Sequence, residues 1–159
     1  MLRFQIVPLT KEHALDIFGW RYPAPYDFYD PPNSNDPEPL LDPIFQFHSV
    51  LDENTDFLGF CSFGIDGQVL GGDYSMPAID IGLGMKPAET GQGLGYSFFG
   101  AILNFAVRNY HFGMIRLTVA DFNERAISLY KKFGFEEQQR FVNRYSRVSY
   151  TILILRIER

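Results

Sequence analysis

The chain has 159 residues, a formal net charge of −5, 46% hydrophobic residues and 21% charged residues. This length and composition are typical of one soluble domain with a sizeable core, so we expect a single domain over residues 1–159. The acidic balance disfavours a nucleic-acid binder, and the lack of a long apolar run or a signal-peptide pattern predicts a cytoplasmic protein with no membrane partner.

The first half of the chain predicts three strands, one helix and a long loop. Thr10 is placed as the N-cap of the helix, whose apolar face is Ala14, Leu15 and Phe18 and whose end is Gly19. The loop carries seven of the ten prolines and has no apolar period. In chain order, we expect a strand at 3–8, the helix, the loop at 20–43 with room for one short helical turn, and strands at 44–51 and 57–64.

The second half alternates strands and helices. A strand at 78–85 has four apolar side chains on one face and Asp80, Gly82 and Gly84 on the other. Asn123 is placed as the N-cap of the last helix, which Gly134 ends. The other elements are a buried helix at 94–107, a strand at 114–120, and strands at 135–142 and 149–157 as an antiparallel pair. This order predicts a mixed α/β sheet with helices on both faces.

The cysteine and histidine content gives no sign of a metal site. Cys61 is the single cysteine, which excludes an intrachain disulfide, and we expect it to be a small buried hydrophobe. The three histidines are far apart in sequence and lack the spacing of metal ligands. We therefore predict a metal-free protein.

A glycine-rich turn connects the strand at 78–85 to the helix at 94–107. Gly91, Gly93 and Gly95 lie where the chain turns from strand into helix. Such a turn leaves backbone N–H groups bare at a helix N-terminus, which favours phosphate oxygens. A P-loop would need Lys-Ser/Thr after the glycines, and a dinucleotide-binding turn would read Gly-x-Gly-x-x-Gly near the start of the domain. Both alternatives are weak.

Two motifs in order give the chain a more specific resemblance. Thr90-Gly91-Gln92-Gly93-Leu94-Gly95 is similar to the Arg/Gln-x-x-Gly-x-Gly/Ala loop that binds acyl-CoA pyrophosphate in the GNAT superfamily of N-acyltransferases. Residues 123–135 resemble the family's second signature, Asn-x-x-Ala-x-x-Leu-Tyr-x-x-x-Gly-Phe. The resemblance implies a single-domain GNAT-like fold, with a mixed, mainly antiparallel central sheet of six to seven strands. Thr90 departs from the family by replacing Arg or Gln.

The resemblance also implies how acetyl-CoA is held as cosubstrate. Backbone N–H groups of the glycine loop would bind the pyrophosphate, and the splayed end of the preceding strand would pair with the pantetheine amides. The asparagine at the start of the last helix would add an amide contact to its N-cap role. The implied cofactor-binding residues are Leu83, Gly84, Met85, Thr90, Gly91, Gln92, Gly93, Leu94, Gly95, Tyr96 and Asn123.

Two residues are assigned to catalysis. Tyr130 falls where the family places a tyrosine near the thioester sulfur, and an unperturbed phenol (pKa ~10) is protonated at neutral pH and can protonate the departing thiolate. A lysine-like amine is neutral in only about 1 part in 2,500 at pH 7, a handicap of ~4.6 kcal/mol, so a base is needed. Some members carry a carboxylate where this chain has Thr118. Asp80 is our candidate base.

As the resemblance implies, we expect the loop after the first helix to form one wall of the cleft that binds the amine acceptor. Its aromatic rings and carboxylates suit a cationic amine through cation–π contacts and charge pairing. Arg21 is an observation against this interpretation because it would repel a cation. The predicted substrate-binding residues are Trp20, Tyr22, Tyr26, Asp27 and Tyr29.

The sequence thus predicts an acetyl-CoA-dependent N-acetyltransferase in which a primary amine, on a small molecule or a protein, attacks the thioester directly. The alternative is a non-catalytic acyl-CoA-binding or sensing module, which Thr90 and the uncertain base favour. We expect a monomer or a homodimer, since the apolar strand at 149–157 could pair with another subunit.

Overall fold

The computed structural model describes residues 3–158, which form seven strands and four α-helices. The strands are β1 (Gln5–Pro8), β2 (His48–Leu51), β3 (Phe57–Phe63), β4 (Ile79–Met85), β5 (Met114–Ala120), β6 (Glu136–Val142) and β7 (Ser149–Arg156). The helices are α1 (Lys11–Ile17), α2 (Glu38–Leu41), α3 (Gly95–Asn109) and α4 (Glu124–Lys132). Short 3₁₀ turns lie between them.

The strands form one sheet in the order β1-β2-β3-β4-β5-β7-β6. The pairs β1–β2, β2–β3, β5–β7 and β6–β7 are antiparallel, whereas β4 and β5 run parallel. The β5–β7 ladder joins all seven residues of β5, while the β4–β5 ladder joins Ile79 to Ile115 and Asp80 to Arg116. The expected mixed, mainly antiparallel sheet of six to seven strands is confirmed.

Most local predictions are confirmed, and three need correction. The strand expected at 44–51 begins only at His48, because Asp42 caps a 3₁₀ turn over Pro43–Phe45 and Gln46 follows at φ 50°. On α1 the expected apolar face is shifted: Ala14 and Ile17 are buried, but Leu15 is 40% exposed. The loop at 20–43 contains more structure than one turn, namely a 3₁₀ turn at Tyr26–Tyr29 and the short α2.

The chain divides into two compact units, residues 1–62 with 83–105 and residues 63–82 with 106–159, as far as they are described. In the first unit, two glycines permit close packing against aromatic rings. A Cβ on Gly59 would lie 2.6 Å from the Phe98 ring, and one on Gly84 would lie 2.5 Å from the Phe60 ring. Contacts under 3.0 Å are forbidden to real Cβ atoms, so the C-terminal end of β4 depends on Gly84.

The second unit is built on the fully paired strands β5 and β7. Leu117, Ile152 and Leu153 are at most 2% exposed and form its apolar core. Asn123 caps α4 as predicted, since its Oδ1 accepts a hydrogen bond from the Ala126 N–H at 3.2 Å. Gly134 follows the helix at φ 97°, a left-handed conformation that favours glycine.

The burial of Cys61 and the length of the helices can be compared with the predictions for the described part of the chain. Cys61 is fully buried, as expected, and burial raises the pKa of its thiol. None of the helices described is both long and apolar enough to cross a bilayer.

Candidate active site

The glycine loop has the backbone shape of an anion cradle. Gly91 and Gly93 have φ values of 74° and 77°, which only glycine adopts at low cost, and a Cβ built on either would meet no atom within 4 Å. Within residues 3–158, neither N–H donates a hydrogen bond. Gly95 opens α3, whose first N–H groups have no partner in the preceding turn of the helix. The loop can therefore present bare N–H groups and a positive helix end to a phosphate.

Thr90 has a structural task at the head of this loop. Its hydroxyl donates to the Pro87 carbonyl at 2.7 Å, and its N–H donates to the same carbonyl at 3.2 Å. These bonds close the 3₁₀ turn Pro87–Glu89 that precedes the glycines. The side chain thus shapes the loop and adds no positive charge to it. Gln92 likewise bonds within the loop, from Nε2 to the Ala88 carbonyl at 3.0 Å.

The end of β4 is tied to the loop that follows α1. The Tyr22 hydroxyl donates to the Met85 carbonyl at 2.5 Å, which brings together two residues that the sequence assigned to different ligands. Burial raises the pKa of Tyr22 to about 12, and the nearby Asp30 charge adds to the shift. The phenol therefore stays protonated, and a hydrogen-bond donor, across the neutral range.

The other predicted acceptor residues lie in two different environments. Trp20 is 5% exposed and packs against Phe57 and Phe60, so its ring belongs to the core of its unit. This placement argues against its predicted contact with the acceptor. Three further predicted acceptor residues lie on the 3₁₀ turn, where their side chains are half-buried or exposed: Tyr26, Asp27 and Tyr29.

The Arg21 guanidinium bonds to backbone carbonyls near the end of α1 and not to the 3₁₀ turn Tyr26–Tyr29. Its Nη1 donates to the carbonyls of Phe18 and Trp20, at 3.0 Å and 2.5 Å, at the C-terminal end of α1. A cation at a helix C-terminus is favoured by the helix dipole. The objection that Arg21 opposes a cationic acceptor is therefore weakened.

Asp80 is buried in a bidentate ion pair. Arg116 donates from Nε to Oδ1 at 2.7 Å and from Nη2 to Oδ2 at 2.8 Å, and Gln68 adds a bond to Oδ2 at 2.9 Å. Both charged residues are 2% exposed. The same hydrogen bonds raise the pKa of Arg116. A carboxylate occupied in this way is a poor acceptor for a substrate proton, so the geometry argues against the predicted role of Asp80 as base and for a structural one.

Arg116 and Tyr74 were missed by the sequence analysis. The Tyr74 ring lies 4.9 Å from the Arg116 guanidinium carbon, and its hydroxyl is 2.8 Å from Oγ1 of Thr118. The available signal was an arginine inside the otherwise apolar strand 114–120, since a buried charge requires a partner. Tyr74 gave no such signal, because it lies in a turn-rich segment.

Tyr130 lies on the buried face of α4. It is 7% exposed, and its ring centroid is 6.3 Å from that of Phe135. Its carbonyl accepts from the N–H groups of Phe133 and Phe135, which fixes the end of the helix. Within residues 3–158, no group of three or more His, Cys, Asp or Glu side chains could hold a metal ion.

Comparisons with solved structures show the same fold at low sequence identity. A spermidine N-acetyltransferase SpeG chimera from Vibrio cholerae and hSSAT superposes with a TM-score of 0.73 at 16% identity, covering 96% of this chain and 95% of that one. The dodecameric spermidine N-acetyltransferase from Vibrio cholerae gives a TM-score of 0.71 at 17% identity, covering 96% and 93%. No curated protein matches the sequence. The model of the acetyltransferase (GNAT) family matches residues 11–135, and the chain belongs to this family of acetyltransferases.

Proposed function

We propose that this acetyltransferase moves an acetyl group from acetyl-CoA to the primary amine of a cationic acceptor by direct attack. The observation that carries the proposal is the glycine loop. Gly91 and Gly93 hold left-handed conformations with open space before them, and their N–H groups make no bond within residues 3–158. The loop precedes α3, so the helix dipole adds to its affinity for a pyrophosphate.

Different groups are assigned to alignment of the cofactor, protonation of the leaving sulfur and deprotonation of the amine. Acetyl-CoA supplies, when bound, a thioester whose carbonyl carbon forms the new C–N bond as its C–S bond breaks. Backbone groups of Leu83, Gly84 and Met85 would align the pantetheine, and the phenol of Tyr130 would give its proton to the departing sulfur. Because the Asp80 carboxylate is already paired, we propose that the amine loses its proton to water before it attacks.

The acceptor class follows from the charge of the loop after α1. One cation lies in residues 20–42, Arg21, and it bonds to carbonyls at the end of α1. A cationic amine would find both opposite charge and aromatic faces there. Structural neighbours named as spermidine N-acetyltransferases make spermidine the first probe. The carboxylates in this segment are Asp27, Asp30, Asp36, Glu38 and Asp42.

Two measurements, made one after the other, test the proposal. Calorimetric titration with CoA, with ADP and NAD as controls, is expected to give binding that is specific to CoA. A thiol-release assay with acetyl-CoA and a panel of amines is then expected to give turnover with spermidine and little with neutral amines. Binding without release for any amine would favour the non-catalytic acyl-CoA module. Lack of CoA binding at millimolar concentration would contradict both functions.

The glycine loop gives a specific prediction for Gly93→Ala. The added methyl meets no atom of the protein, so the cost in stability comes from the left-handed backbone, about 1–2 kcal/mol. CoA affinity is expected to fall about 10–100-fold, because hydrogen bonds to a charged group contribute about 1.5–3 kcal/mol each. Calorimetry with CoA measures the affinity, and thermal unfolding measures the stability.

Gly134→Ala is the matched control for this variant. Gly134 has a φ of 97°, and its added Cβ would make an ordinary contact of 3.4 Å with Leu155. The backbone strain is therefore similar, but no part of the proposed cradle is altered. An equal loss of CoA affinity in both variants would mean that backbone strain, rather than the loop, controls binding.

A further inference from the structure

One hydrogen bond connects the predicted acceptor loop to the predicted cofactor strand. The Tyr22 hydroxyl donates to the Met85 carbonyl at 2.5 Å, although the two residues are 63 positions apart in sequence. The raised pKa of Tyr22 keeps this donor in place at neutral pH. The bond therefore joins two segments that sequence reasoning treated as separate binding elements.

On the loop side, Tyr22 belongs to a turn that is closed by hydrogen bonds between its own residues. Its N–H donates to the Asp30 carboxylate at 2.8 Å, which closes residues 22–30 into a ring. Inside this ring, the Tyr26 N–H donates to the Pro23 carbonyl at 2.8 Å, and the Asp30 N–H donates to the Asp27 carbonyl at 3.0 Å. A turn closed in this way moves as a body, so the position of Tyr22 sets the position of the turn.

On the strand side, the Met85 carbonyl lies on a rigid support. The next residue, Lys86, donates its N–H to the Leu58 carbonyl at 2.7 Å, and its ammonium is 3.9 Å from Asp16. A Cβ on Gly84 would lie 2.5 Å from the Phe60 ring, so the backbone approaches this ring closely. A carbonyl oxygen has two lone pairs, and Tyr22 occupies one of them. The other can accept an amide N–H, and Met85 belongs to the strand end assigned to pantetheine.

We infer that Tyr22 is a positioning residue that couples the two substrates, an inference that rests on the proposed function. A ligand that fixes the Met85 carbonyl also favours its bond to Tyr22, and so holds the acceptor turn in place. Because coupling is reciprocal, an occupied acceptor turn favours the same strand geometry by the same factor. The hydroxyl does no chemistry, and its effect falls on binding.

Hydrogen exchange on the full chain with CoA as the probe tests this inference without turnover. In the native protein, CoA is expected to slow exchange of the amides in residues 20–30 at least about fivefold, the lower range of measured couplings. In Tyr22→Phe these amides should exchange faster, and CoA should no longer slow them. Protection of residues 91–96 by CoA should persist in the variant, since the cradle is unaltered.

Tyr145→Phe is the control, because it removes the same hydroxyl from a residue that is 70% exposed and whose hydroxyl accepts a hydrogen bond from the neighbouring Arg144 at 3.1 Å. It should behave as the native protein does. Kinetics add a second readout: Tyr22→Phe should raise the KM for spermidine about 3–10-fold, the effect of one hydrogen bond, with kcat within about twofold.

Three results would overturn the inference. Equal CoA protection of residues 20–30 in Tyr22→Phe and the native protein would mean that the hydroxyl does not transmit coupling. Protection of 91–96 without protection of 20–30 in the native protein would mean that no coupling exists. Lack of protection at 91–96 would contradict the proposed function itself, and with it this inference.

Discussion

Replacing Arg116 with methionine is expected to lower the free energy of unfolding by about 3–5 kcal/mol, the usual cost of leaving a buried charge without its partner. Arg116 and Asp80 are both 2% exposed, and two bonds of 2.7 and 2.8 Å join them. Methionine keeps much of the aliphatic volume but leaves the carboxylate with Gln68 as its remaining partner among these contacts. The Met76 carbonyl also loses its donor. Urea unfolding of both proteins measures the difference.

Lys131→Met is the matched control for this variant. Lys131 pairs with Glu137 at 3.2 Å, but the two side chains are 51% and 35% exposed. The same loss of one positive charge should cost at most about 1 kcal/mol there, because solvent screens exposed pairs. The double variant Asp80→Asn/Arg116→Met should recover part of the loss, since it removes the uncompensated charge. Similar costs for Arg116→Met and Lys131→Met would contradict the role of the buried pair.

Asp80→Asn separates the structural role of the carboxylate from the predicted catalytic one. If Asp80 holds Arg116 in place, the variant loses stability while its kcat, corrected for the folded fraction, stays within a few-fold of the native value. If Asp80 is the base, kcat corrected for the folded fraction falls by 10²-fold or more, the usual contribution of a general base, in addition to the same loss of stability. The second result would restore the prediction made from the sequence.

Local features of the chain could be predicted because neighbouring residues determine them. Gly91 and Gly93 lie in the strand-to-helix turn that was predicted for them, and Asn123 caps α4 through its own side chain. Strand β5 has the bounds expected from its apolar run. Each of these predictions depends on fewer than about ten consecutive residues.

Contacts between distant segments could not be predicted in the same way. Alternation along β4 placed Asp80 on the face opposite the apolar side chains, but it gave no information on which residue lies across from it. The partner, Arg116, is 36 positions away and becomes a neighbour only through the parallel β4–β5 register. The packing of Trp20 was not predicted for a related reason: an aromatic ring in a loop can pack on a sheet, and this one packs on Phe57 and Phe60.

The bond between Tyr22 and Met85 is an example of a long-range contact between two predicted binding segments that the sequence did not reveal. Both residues were assigned to substrate regions from the sequence, and the two assignments were made independently. The structure adds a physical link between the two assignments. Coupling between substrates is therefore a property that sequence motifs, read separately, do not contain.

Tyr130→Phe is expected to lower kcat by about 10²-fold or more, the usual contribution of a positioned general acid. The substitution removes only the hydroxyl, and the ring remains buried on α4 against Phe135. CoA affinity should therefore stay within about twofold. Steady-state kinetics with acetyl-CoA and spermidine, together with CoA calorimetry, measure the two quantities separately.

The pH dependence gives an independent check on the role of Tyr130. An acid works only while it is protonated, so its contribution is lost at a pH high enough to remove its proton. The native enzyme should show a falling alkaline limb in kcat that Tyr130→Phe lacks. A variant with native kcat, or with an unchanged alkaline limb, would mean that water protonates the departing thiolate and that Tyr130 serves only to pack α4.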